Sequence, residues 1–169
     1  MIRCFDDCTS LTHAPEIQNG VTYMNNCFDG CTSLTQAPPV IPGSVTDMES
    51  CFRGCTSLTQ APSVIPNSVT NMTRCFESCE KLYHAPVFAA SASVTDMTSC
   101  FAGCYSLTQA PPVIPNSVTN MESCFENCKN ITAVTLKCKY VEDKFDRAFS
   151  GCNKLTADSI KVPAAQLQT

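Results

Sequence analysis

Every 23 to 25 residues the chain returns to nearly the same text, and no other feature restricts its fold as much. A CFxxC pair begins at residues 4, 27, 51, 75, 100 and 124, and a further 24 residues lead to "AFSGC", where Ala148 stands in for the first Cys. The segments between barely change: "CTSLTQAPPVIPGSVTDMES", "CTSLTQAPSVIPNSVTNMTR", "CYSLTQAPPVIPNSVTNMES". A single-core globular fold has no use for such a period. A solenoid does, because each unit can bury its apolar face only against its neighbours.

Each unit resolves into three pieces. In "SVTxMxxCFxxC", Val45, Met48, Cys51, Phe52 and Cys55 recur at the spacing of one helical stripe, which predicts a short inward-facing helix. Thr46 with Glu49, and Thr119 with Glu122, read as capping boxes, with Asp47 and Asp96 complementing the first turn. Gly30, Gly54, Gly103 and Gly151 fall where the helix end wants a left-handed residue. "TSLTQAP" then reads as a brief strand with Leu34 and Ala37 inward and Thr35 and Gln36 outward. "PxVIPNS" is a proline-stiffened return. The predicted fold is therefore an α/β repeat solenoid of leucine-rich-repeat type, a right-handed coil. It has about seven ~24-residue units, each with one short strand and one short helix. Residues 1–157 form one solenoid, and 158–169 a C-terminal cap or linker. The chain opens mid-unit at Met1, which is expected of a segment from a longer protein.

The cysteines are the next constraint. Fourteen in 169 residues is close to the density of a disulfide scaffold. Stacked coils would set them on two rails, and Cys51, Phe52, Cys55, Cys75, Phe76 and Cys79 are expected core residues. Buried thiols are the favoured reading, since free Cys behaves as a small hydrophobe. An in-coil bridge would distort a helix, and Ala148 shows that the paired positions are not obligate partners. Some disulfide remains open, Cys138 to Cys152 being the best placed. Zinc or iron–sulfur ligation would want C-x2-C knuckles or other ligands, whereas here the spacing is C-x3-C with two His in the chain. No cofactor and no metal are expected.

Charge narrows the partners. A net −4 without a basic run argues against nucleic acid and anionic membrane surfaces. No apolar stretch approaches a spanning helix, so no membrane insertion is expected in this segment. "MIRCFDDC" lacks the apolar h-region of a signal peptide. "NMT" at 71 and "NIT" at 130 match glycosylation sequons by pattern alone. No catalytic set is visible, neither Ser-His-Asp nor HExxH nor a phosphate loop, and the chain reads as non-enzymatic.

"AFSGCNKL" and "SVTNMESCFENCKNIT" resemble the BspA-type leucine-rich repeats and the related repeats of Mycoplasma-type surface lipoproteins, which share a pattern close to VTxMxxxFxxCxxL. The resemblance covers about residues 1–157. It implies a cell-surface or secreted protein of a bacterium or protist, acting in adhesion and host binding. Two departures stand out. The first Cys of each pair replaces the family's Met or Ala, and "APPVIP" is unusually rich in proline.

The candidate binding surface is the outward row of Thr35, Thr59 and Thr108 beside Gln36, Gln60 and Gln109, interrupted by Tyr83 and His84. Phe88 is counted with them, because "YHAPVFAASAS" is the most divergent stretch and aromatics anchor recognition. The expected partner is a host or extracellular-matrix protein or a glycan. The alternatives are a structural spacer or stalk and, less favoured, a Thr-ladder ice-binding protein. The second Thr row (Thr22, Thr46, Thr70, Thr95, Thr119) is assigned to helix capping instead.

Overall fold

A computed structural model describes residues 1–163. The chain winds as a repeat solenoid in which each coil hydrogen-bonds to the next. Among the described residues four two-residue strands are long enough to name: β1 (Val64–Ile65), β2 (Val87–Phe88), β3 (Val134–Thr135) and β4 (Ile160–Lys161). β1 pairs in parallel with β2, and β3 with β4. Isolated parallel bridges carry the same pairing around the coil, from His13 through Gln36, Gln60 and His84 to Gln109, and from Tyr23 through Asp47, Asn71 and Asp96 to Asn120.

The helix expected in each unit is absent: among the described residues there is no α-helix, only the 3-10 turn Ala157–Ser159. Residues 48–55 show why. The N–H groups of Met48, Ser50, Phe52 and Gly54 donate to the carbonyls of Asn71, Thr73, Cys75 and Glu77 on the next coil, at 2.8–3.0 Å. Those of Cys51, Arg53 and Cys55 close turns onto Met48, Ser50 and Phe52. An α-helix would turn all of these donors back onto its own carbonyls. Two left-handed residues per unit make the alternation possible, Ser50 (φ +52°) and Gly54 (φ +68°) in this coil. The glycines are thus left-handed as expected, but they join consecutive turns rather than cap a helix. The same correction removes the capping boxes. Thr46 donates its hydroxyl to Thr22 on the preceding coil (3.3 Å), and Asp47 Oδ1 accepts from Glu49 N–H (3.0 Å).

Gly54 permits a direct test. A Cβ there would meet nothing closer than 3.7 Å. Gly54→Ala should therefore cost only the left-handed penalty, about 1–2 kcal/mol, read as a lower urea midpoint. Gly54→Asn should recover part of it.

The inward side chains form continuous ladders. Phe5, Phe28, Phe52, Phe76, Phe101, Phe125 and Phe149 stack in sequence, with centroids 5.2–5.8 Å apart and planes within 8°. Met24, Met48, Met72, Met97 and Met121 form a second fully buried column, and Leu34, Leu58, Leu82 and Leu107 a third. Cys51, Phe52, Cys55, Cys75, Phe76 and Cys79 are all fully buried.

The proline return explains where strands form. Pro66 and Pro115 have no N–H to give the preceding coil. Ala89 and Lys137 take their place in other units, and both donate, to Ile65 and Ile114 at 3.0 and 2.9 Å. β1–β2 pairing is one result. At the far end β4 lies beside β3, and Leu136 N–H donates to Lys161 (2.8 Å). The stack thus continues beyond 157, where a cap or linker was expected to begin. Residues 164–169 of that expected segment lie outside the described residues.

Candidate interaction face

The row of Thr and Gln is built by coil-to-coil pairing. Thr35 and Thr59 each direct both N–H and hydroxyl to the preceding Thr carbonyl, at 3.0–3.1 Å. Thr108 does the same to Tyr83, at 3.2 Å. In the bridge column beside them, Gln36, Gln60, His84 and Gln109 are all exposed. The second Thr row repeats the pattern: Thr70, Thr95 and Thr119 each donate a hydroxyl to the Thr carbonyl one coil back. Both rows therefore spend their hydroxyl hydrogens on the backbone.

Tyr83 breaks the first row. It is 55% exposed and meets His84 edge-on, with centroids 5.6 Å apart. A groove of about 270 Å³ between Thr59–Gln60 and His84 lies to one side. One of about 380 Å³ beside Thr108 and Gln109 lies farther along the row. Phe88 does not join this surface. It is 9% exposed, sits in the core, and pairs with Ile65 in the place other units give to isoleucine. Its strand alternates, so the outward side chain is that of Val87. The sequence signal was present, because Phe88 stands where Ile41, Ile65 and Ile114 stand.

The cysteine rails sit behind this face, inside the coil. Cys55, Cys79, Cys104, Cys128 and Cys152 each donate S–H to a Phe carbonyl of the preceding coil, at 3.0–3.1 Å. They are thiols, not bridges. Cys152 is among them, and Cys138 Sγ lies instead 3.9 Å from Met121 Sδ, so the 138–152 bridge that the sequence left open is not formed. Burial pushes Cys31 and Cys152 up to about 11 and Cys27 to about 12, and the deeper thiols higher still. Such groups hold no thiolate at neutral pH and are poor nucleophiles and metal ligands. Among the described residues no three His, Cys, Asp or Glu side chains converge as a metal site. The charged groups pair on the outer turns: Arg53 grips the nearly buried Asp29 through Nε (3.0 Å) and Nη2 (2.6 Å).

The sequence matches the pattern described as "BspA type Leucine rich repeat region" in six copies, over residues 2–108 and 96–168. Among solved structures, the fold is similar to a leucine-rich repeat protein of T. pallidum. That match has 24% identity and a TM-score of 0.64, covering 89% of this chain and 67% of the other. Two further matches are a leucine-rich cell surface protein of Faecalibacterium prausnitzii (21% identity, TM-score 0.45, 98% and 64% covered) and a leucine-rich repeat protein of Bacteroides ovatus (17%, 0.43, 96% and 63%). The chain spans about two thirds of the length of each. No curated protein matches the sequence.

Proposed function

The chain belongs to the BspA-type leucine-rich-repeat family, and from that premise we propose a non-enzymatic, surface-displayed module that binds a host or matrix protein along its Thr/Gln row. Proteins of this family serve generally as surface interaction modules, and adhesion is the specific form proposed here. The observation behind the reading is the Tyr83–His84 pair, an exposed aromatic contact set within an uncharged row and beside a groove. An aromatic anchor amid adaptable polar groups is the composition of a recognition hot spot. A regular row of hydroxyls already bonded to the backbone offers shape and methyl surface, with little hydrogen-bond demand of its own.

The test begins with capture from serum or matrix extract on immobilised protein, followed by titration of the captured partner. Tyr83→Thr with His84→Gln restores the row's usual residues and should leave the melting curve unchanged. Affinity should fall by about 30-fold, the loss of one hot spot of ~2 kcal/mol. Unchanged affinity would move the contact off this row. Absence of any partner would favour a spacer.

A further inference from the structure

On the return side of the coil a second outward column runs along the solenoid, and its two ends carry opposite charge. Each member is the residue just before the buried Ile17, Ile41, Ile65, Phe88, Ile114, Leu136 or half-buried Val162. Glu16 stands at one end. Val40, Val64 and Val87 follow, exposed by 69%, 46% and 46%, then the half-buried Val113. Thr135 and Lys161 complete it. Strand register joins Val64 to Val87 and Thr135 to Lys161, and the Ile114–Leu136 bridge sets Val113 beside Thr135. A ridge of exposed valines is surface awaiting cover.

The charges say what covers it. All four arginines are held by carboxylates of their own chain: Arg3 by Asp6, Arg53 by Asp29, Arg74 by Glu77 and Arg147 by Glu126. Among the described residues no lysine is in an ion pair, and six of the seven lysines lie between 129 and 161. Lys137 and Lys139, both exposed, follow β3 on the coil that pairs with Lys161, so the basic end is a cluster. A two-fold axis at Val87, the middle of the column, reverses one copy on the other. It lays Val64 against the partner's Val113 and Glu16 against the partner's Lys161. The order acid, apolar, base is complementary to itself only in that antiparallel sense, which is the isologous geometry of a dimer.

We propose that this ridge is a self-association surface and that two copies of the chain pair antiparallel along it. Beside the axis, a groove of about 440 Å³ walled by Ala90, Ala92, Val113 and Pro115, and also by Asn116 and Lys137, offers the partner's valines a recess. Seven coils at ~4.8 Å make a contact about 30 Å long, a narrow one at the low end of interface sizes. The dimer is accordingly weak, with dissociation on the order of 10 µM. The valine core supplies its affinity, and the terminal charges set its orientation.

Sedimentation equilibrium from 1 µM to 1 mM (about three decades around that value) should show a monomer–dimer transition. Val87→Glu sets two carboxylates against each other on the axis and should weaken pairing by about 100-fold or more, with the melting curve confirming the fold. Glu16→Lys and Lys161→Glu should each weaken it by about tenfold. Together they should restore it, because the two swapped charges face each other across the axis. A monomer throughout, or a dimer indifferent to Val87→Glu, would overturn the proposal. So would a double variant no tighter than the singles, since parallel pairing opposes Glu16 to its own copy.

Discussion

Raising the pH from 8 to 10 should unfold the chain in one steep step, while between pH 6 and 8 its stability should hardly change. Twelve cysteines are buried, and burial raises the pKa of each above its ordinary value of 9.0. A raised pKa means the folded state holds its protons longer than the unfolded state does. The stability this contributes is complete below pH 9 and is lost as pH climbs from 9 toward each folded value, about 11 for Cys31 and Cys152 and about 12 for Cys27. Each group can remove up to ~1.4 kcal/mol per pH unit across that window. Twelve together give a slope on the order of 10 kcal/mol per unit, comparable with the whole stability of a domain, ~5–15 kcal/mol. Urea midpoints at pH 7, 8, 9 and 10 would display it. A midpoint level through pH 10 would mean that the rails are not protonated thiols. A thiol reagent gives the companion reading: at pH 8 the folded chain should react at Cys4 and Cys8, the two exposed cysteines, and the rails only after denaturation.

Phe76→Ala should cost about 3–5 kcal/mol, and the damage should spread by neighbourhood. The ring is fully buried and stacked at 5.4 Å on both Phe52 and Phe101. Its loss opens a cavity and ends two aromatic contacts of about 0.5–1.5 kcal/mol each, part of the same total. Contacts run only between adjacent coils, so amides around Phe52 and Phe101 should lose hydrogen-exchange protection before those around Phe28 and Phe125. Equal loss everywhere would make the solenoid one cooperative block. Full protection at Phe52 and Phe101 would contradict nearest-neighbour coupling. Phe149→Ala, at a ring only half buried, should cost less.

Legible in the residues alone were the periodicity and the inward set. Met48, Cys51, Phe52, Cys55 and Leu58 recur in four consecutive units, with Ile131 for the leucine in the fifth, and a side chain that repeats with the coil must repeat its environment. One of the two left-handed positions was legible for the same reason, since Gly30, Gly54 and Gly103 recur at one place in the unit; the other, held by Ser50, was not. The choice between helix and consecutive turns was not legible. Steps of three and four residues fit both, so Met48 and Cys55 face inward either way. Coil stacking settled it, because the N–H of Phe52 finds its acceptor on Cys75, 23 residues away, and not within its own turn. Phe88 shows the limit on the surface side. Its aromatic character suggested exposure, and only the pairing of Val87–Phe88 with Val64–Ile65 turned it inward and left Val87 outside. A period of two reverses every face with a one-residue slip. That register was set by a hydrogen bond from Ala89 to the neighbouring coil, available because this unit has alanine where the "VIP" units have proline.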